Sequence, residues 1–130
     1  MKILVTGCAG FIGFHLCTSL SKNKKNKIFG IDNLNNYYDT KLKKERIRIL
    51  QKNNNFHFSK IDISQEKKVK KYFNNQRFDI VVHLAAQAGV RYALKYPEAY
   101  ITANIVGFYN IIEYSRINNV KKFLYASSSS

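Results

Sequence analysis

Three glycines, Gly7, Gly10 and Gly13, recur at intervals of three in "TGCAGFIG", and no charged side chain lies between Val5 and Phe14. Glycines in such a loop let backbone N–H groups approach an anion without side chains intervening, and a phosphate is the natural anion. The loop follows a β-branched run, "KILVT", and opens a stretch of helical periodicity. The unpaired N–H groups of a first helical turn would therefore point at a pyrophosphate, while Gly13 would let the helix pack close to the strand. The spacing departs from G-x-G-x-x-G, so a second mark is needed: an acid about 20 residues further on. Asp32 ends the run "KIFGID", 19 residues after Gly13. There a carboxylate can accept hydrogen bonds from both ribose hydroxyls of an adenosine and would repel a 2′-phosphate. The pattern predicts a dinucleotide site that prefers NAD to NADP.

Other chemistry-bearing residues point elsewhere or nowhere. His83 ends an apolar run with no partner at metal-ligand spacing and reads as structural, and His15 and His57 make no better case. Cys8 and Cys17, nine apart, match neither a disulfide framework nor a metal knuckle. They read as small buried hydrophobes in a reducing, cytoplasmic compartment. Tyr37 and Lys41 have Tyr-x-x-x-Lys spacing, but they follow Asp32 directly on the adenosine side, remote from any nicotinamide, so the match is coincidental. Asp62 precedes Ser64, which reads as the N-cap of a helix.

The elements that must position these residues alternate. Apolar runs "KILVT", "KIFGID", "FHFSKID", "FDIVVHLA" and "KKFLYAS" are separated by helical stretches of ten or more residues. Strands apolar on both faces suit a parallel sheet covered on both sides. Right-handed crossovers then predict an α/β, Rossmann-type doubly wound sheet in the order 3-2-1-4-5, truncated after about five strands. The first helix is expected to bury Ile12, Leu16 and Leu20, and a long helix opening at Pro97 to bury Ile101, Ile105, Phe108 and Ile112. A single domain over 1–130 is expected, with no linker or repeat.

The chain carries 22 Lys and Arg against 8 Asp and Glu, a net charge of +14. The lysines fall with asparagines in "SKNKKNK", "KLKKERIR" and "EKKVKKYFNN", on segments read as turns and outer helix faces, which describes a solvated surface and not a nucleic-acid partner. No apolar run approaches the roughly 20 residues of a membrane span, and the first residues lead into a strand instead of a signal peptide.

Thr6 to Gly13 match T-G-x-x-G-F-I-G, the fingerprint of the extended short-chain dehydrogenase/reductases. With "DNLNNYYD", "HLAAQAGVRYAL", "NIVGFYNIIEY" and "LYASSSS", the whole chain resembles that family, most closely its UDP-glucuronate 4-epimerase branch. The resemblance implies NAD as cofactor and assigns its contacts: Phe11 and Ile12 over the pyrophosphate; Asp32, Asn33, Leu34, Asn35 and Asn36 around the adenosine ribose; Asp62 and Ile63 beside the adenine. It further implies that Leu84, Ala85, Ala86 and Gln87 line the ribose and nicotinamide side, and that Asn104 supports the active site.

In the family the terminal serines continue to Val-Tyr-Gly, and Ser128 matches the catalytic Ser/Thr that hydrogen-bonds the sugar's 4-hydroxyl. A downstream tyrosine of a Tyr-x-x-x-Lys pair removes the proton as hydride passes to NAD; the 4-keto sugar turns and takes hydride back on its other face. The resemblance thus casts residues 1–130 as the N-terminal NAD-binding part of an epimerase whose remaining strands and C-terminal sugar-binding domain lie beyond it, inactive alone and homodimeric in full. Arg91 is compatible with an acidic sugar such as UDP-glucuronate. A nucleotide-sugar dehydratase, another member of the extended family, and a non-catalytic dinucleotide-binding module stand as alternatives.

Overall fold

The computed structural model describes residues 1–127. Five strands, β1 (Lys2–Thr6), β2 (Lys27–Asp32), β3 (Phe56–Lys60), β4 (Ile80–His83) and β5 (Lys122–Tyr125), form one sheet in the order β3-β2-β1-β4-β5. Every pairing is parallel. The strands are shorter than the apolar runs, since Ile61, Asp62, Leu84, Ala85, Ala126 and Ser127 already belong to the loops beyond them. Those loops all leave from the carboxyl edge.

Alternation along the strands divides the core in two, because successive side chains point to opposite faces. Leu4, Phe29, Ile31 and Val81 pack with Val69 and Phe73 of α3 (Glu66–Asn75) and with Ile111 and Tyr114 of α6 (Phe108–Ile117). Ile3, Val5, Ile28 and Phe56 pack with Cys17 of α1 (Phe11–Ser21) and with Ile47 and Leu50 of α2 (Thr40–Leu50). Burial on both faces is why the strands read as near-continuous apolar runs.

Two helix faces differ from expectation. In α1 the buried residues are Gly13, Cys17 and Ser21, while Ile12 is 66% exposed and Leu16 and Leu20 only flank the core. The cause lies at the helix start. A methyl group on Gly13 would overlap the Gly7 carbonyl oxygen and come within 2.9 Å of Cys8 Cα, so the Gly13 side of the helix is the side laid against the chain leaving β1.

The second case is the helix opening at Pro97. It runs from α5 (Pro97–Tyr100) through a π-helical stretch (Ile101–Gly107) into α6. Ile101, Ile105 and Ile112 are 54%, 58% and 39% exposed, and the buried residues are Gly107, Asn110, Ile111, Tyr114 and Ser115. A π turn holds more residues than an α turn, so a 3.6-residue count started at Ile101 loses the inward face before α6 begins. Hydrogen bonds then fix polar residues inward: Asn110 Nδ2 donates to the Ile63 carbonyl at 2.8 Å, and the Tyr114 hydroxyl donates to Glu66 Oε1 at 2.8 Å. Ser64 is not the cap of α3 either, because that helix starts after Gln65 and the Ser64 hydroxyl donates back to Asp62 Oδ1 at 2.7 Å. The short α4 (Val90–Ala93) lies between β4 and α5.

Candidate dinucleotide-binding site

The loops at the carboxyl edge enclose one cleft of about 550 Å³, well inside the size range of cofactor sites. Its floor is the turn after β1. Gly7 has φ +71°, and a side chain there would press to 2.9 Å from the Ala85 nitrogen. Beyond it, α1 starts at Gly10 with no side-chain cap and no acid in its first turn, which leaves its first N–H groups and the positive end of its dipole facing the cleft.

Asp32 stands at the cleft wall with a defined orientation. Its Oδ2 accepts from the Ala9 amide at 3.1 Å and its Oδ1 from the Leu34 amide at 2.8 Å. Asn33 and Asn35 line the cleft beside it; Leu34, at φ +53°, turns into the core, and neither it nor Asn36 lines the cavity. Asp62 and Ile63 form the next part of the wall. Burial works against the Asp62 carboxylate, but the Ser64 hydroxyl and amide and the Asn33 amide outweigh it and hold its pKa below the usual range.

The far wall is Leu84, Ala85, Ala86, Gln87 and Ala88. The Thr6 hydroxyl organises its start, accepting from the Leu84 and Ala85 amides at 3.1 and 3.0 Å. With two amides pointing into its lone pairs, that hydroxyl directs its own proton to His83 Nδ1, 2.8 Å away. His83 is therefore neutral and structural, and burial lowers its pKa to about 4. Asn104 does not line the cavity but clamps its edge: Oδ1 accepts from the Gln87 amide at 2.8 Å and Nδ2 donates to the Gln87 carbonyl at 3.1 Å. Phe11 and Ile12, two-thirds exposed, sit at the mouth.

The sequence reading missed the contribution of α2. Leu42, Lys43 and Arg46 line the Asp32 end of the cleft, joined by Tyr37 and Tyr38 from the loop before α2. Lys43 is 5% exposed; its Nζ donates to Asn35 O and Oδ1 at 3.0 and 2.6 Å and lies 4.3 Å from the Tyr38 ring centre. Burial pulls its pKa down, with Asp32 opposing and Arg46 adding to the effect. Arg46 donates to the Ala9 carbonyl at 3.0 Å and so ties α2 to the glycine loop. The signal available was the i, i+3 pair Lys43 and Arg46 beneath the Asp32 loop, submerged in a run of five cations between Lys41 and Arg48. Ser128 lies outside the described residues. Among the described residues no cluster of His, Cys, Asp and Glu is fit to hold a metal, and no helix is long and apolar enough to cross a membrane.

A parallel sheet in this order, with a glycine turn at β1–α1 and an acid ending β2, defines a Rossmann-type nucleotide-binding domain. The chain belongs to the NAD dependent epimerase/dehydratase family, whose profile matches residues 3–130. It is 47% identical over 130 residues to Protein CapI of Staphylococcus aureus, covering 100% of this chain and 38% of that one. To a UDP-glucuronate 4-epimerase of Thermodesulfobacterium geofontis it is 44% identical over 127 residues, 98% of this chain and 39% of the other. The solved UDP-glucuronic acid 4-epimerase of Bacillus cereus, in complex with UDP-glucuronic acid and NAD, superposes with a TM-score of 0.90 at 39% identity, over 100% of this chain and 41% of its own length. The chain thus spans about two fifths of the length of these relatives.

Proposed function

We propose that this chain is the N-terminal, NAD-binding portion of a nucleotide-sugar 4-epimerase that acts on UDP-glucuronate. The observation that carries the reading is one continuous cleft. It joins an uncapped helix start, an oriented carboxylate at Asp32 and the clamped strand-end Leu84–Gln87, and its residues fit a dinucleotide along their whole length. When bound, NAD supplies the group that takes hydride from the sugar's 4-position and returns it. The chain's own residues have simpler duties. The Gly7–Gly13 turn binds the pyrophosphate, Asp32 accepts from the adenosine ribose hydroxyls, Asp62 and Ile63 flank the adenine, and Asn104 holds Gln87 at the nicotinamide side. Ser128 orients the sugar's 4-hydroxyl for a tyrosine base beyond residue 130. Likeness to the UDP-glucuronate 4-epimerases supports the choice of sugar, and two buried free thiols, Cys8 and Cys17, support a cytoplasmic setting.

The test has two arms. Calorimetric titration of the chain should show tighter binding of NAD than of NADP, and Asp32→Ala should weaken NAD about tenfold or more and erase the preference. Equal affinities in the unmutated chain refute the assignment of Asp32. In the second arm the whole protein should convert UDP-glucuronate to UDP-galacturonate, resolved by chromatography, while the 130-residue chain alone should not. Failure of the whole protein on that sugar, with turnover of another, would leave the cofactor reading and replace the substrate.

A further inference from the structure

The loops that follow β2 and β4 leave the sheet on either side of β1, about 10 Å apart at strand spacing. They nevertheless meet. Tyr37, from the first, packs edge-on against Tyr92, from the second, with ring centres 4.8 Å apart at 68°. Its hydroxyl also fills the space above Gly89, where a methyl group would overlap it. Gly89 has φ +98°, a conformation suited to glycine, and this lets the second loop turn under the Tyr37 ring.

The second loop is held from behind as well. The Tyr100 hydroxyl donates to the Ala88 carbonyl at 2.9 Å and also to the Gly89 carbonyl, and Asn104 clamps Gln87. Tyr96 packs at a tilt against Tyr92 with ring centres 4.8 Å apart, and the Tyr100 ring lies 6.5 Å from Tyr92. The tyrosines thus form a chain from the adenosine-side loop to the helix that opens at Pro97. Tyr37 and Ala88 both line the cleft, whereas Gly89 and Tyr92 do not. The bridge therefore joins the loops on the two sides of the β1 turn, and a dinucleotide laid from Asp32 to Gln87 would pass between the bridge and that turn.

We infer that the Tyr37–Gly89–Tyr92 contact is a strap that closes over a bound dinucleotide and governs its release, with Tyr92 acting as a positioning residue through Tyr37. This rests on the dinucleotide reading of the cleft. A strap suits a cofactor that must stay in place between giving up and recovering a hydride, since loss between the two halves would strand an oxidised sugar.

The test is the rate at which NADH, followed by its fluorescence, is displaced by excess NAD in stopped flow. Tyr92→Ala should accelerate release about fivefold or more, although Tyr92 does not line the cleft, and Tyr92→Phe, which keeps the ring, should restore the slow rate. Adding Tyr92→Ala to Tyr37→Ala should give no further acceleration, because one bridge can be broken only once. Gly89→Ala displaces the Tyr37 ring without altering Tyr92 and should speed release as well, which keeps the test decisive if Tyr92→Ala fails to fold. Unchanged release in both Tyr92→Ala and Gly89→Ala overturns the strap while leaving the cofactor site intact, as does tighter binding in either, which would make the bridge a competitor of the ligand. If the unmutated protein binds neither NAD nor NADH, the reading of the cleft falls and the strap with it.

Discussion

Acidification should loosen this fold well before its carboxylates are protonated, and His83 is the reason. Its ring is buried at the end of β4, accepts the Thr6 proton at Nδ1, and packs against Phe108 and Phe123. Burial lowers its pKa from 6.5 to about 4. In the unfolded chain the same imidazole takes up a proton as pH falls through 6.5, while the folded state refuses it until about 4. Stability from the neutral ring is therefore fully present above pH 6.5 and is drawn down between 6.5 and 4. At 1.36 kcal/mol per unit the whole loss is about 3 kcal/mol, a large fraction of a typical domain's stability. Urea midpoints measured from pH 8 to pH 4.5 give the assay. His83→Gln cannot titrate and keeps His15 and His57, so its shallower pH dependence isolates the His83 share. A ring titration by NMR supplies the folded pKa directly. A midpoint near 6.5, or parallel pH profiles for the two proteins, would refute the buried-neutral reading.

Two further outcomes follow from packing. Gly13→Ala places a methyl group into the Gly7 carbonyl and beside Cys8 Cα, both backbone, so α1 must move off the turn; a stability loss of about 1–3 kcal/mol is expected in urea unfolding, with loss of NAD binding in calorimetry. The exposed apolar residues Ile101, Ile105, Tyr109 and Ile112 lie in a stretch with no Lys or Arg from Tyr96 to Ser115, so in a chain of net charge +14 two copies would meet there at least electrostatic cost. The whole protein should sediment as a homodimer at micromolar concentration, and Ile105→Glu should shift it to monomer.

The sheet was legible because it depends on features that a linear pattern carries: apolar runs of strand length, helical stretches between them, and a handedness rule that leaves few orders. What escaped was the side each helix turns inward. On α1 the inward residue is chosen by a backbone contact, Gly13 against Gly7, and no hydrophobic count registers a glycine. On the helix after Pro97 the π-helical stretch changes the period itself, and two of the residues turned inward beyond it, Asn110 and Ser115, are polar. Their hydrogen bonds to Ile63 and Ile111 make burial tolerable, and those partners are fixed only once the chain has folded.

The cleft divides along the same line. Gly7, Gly10, Gly13 and Asp32 were readable because each occupies a strand end or helix start, where local geometry and chemistry coincide. Lys43 and Arg46 were not, since in "KLKKERIR" they are two cations among five. Only the fold separates them. Lys43 is drawn beneath the loop that Asp39 ends as the N-cap of α2, and its ammonium is taken from water by Asn35 and the Tyr38 ring. The other lysines of that run remain in solvent. A buried ammonium is tolerated only where acceptors and a nearby negative charge replace its hydration. Asp32 provides that charge from the next strand end, and Lys43 in return braces the loop against which an adenosine ribose would rest. The wall beside the Asp32 carboxylate thus includes a buried cation the sequence pattern hides, so the shape of this end of the cleft belongs to Asp32, Asn35 and Lys43 together and not to the acid alone.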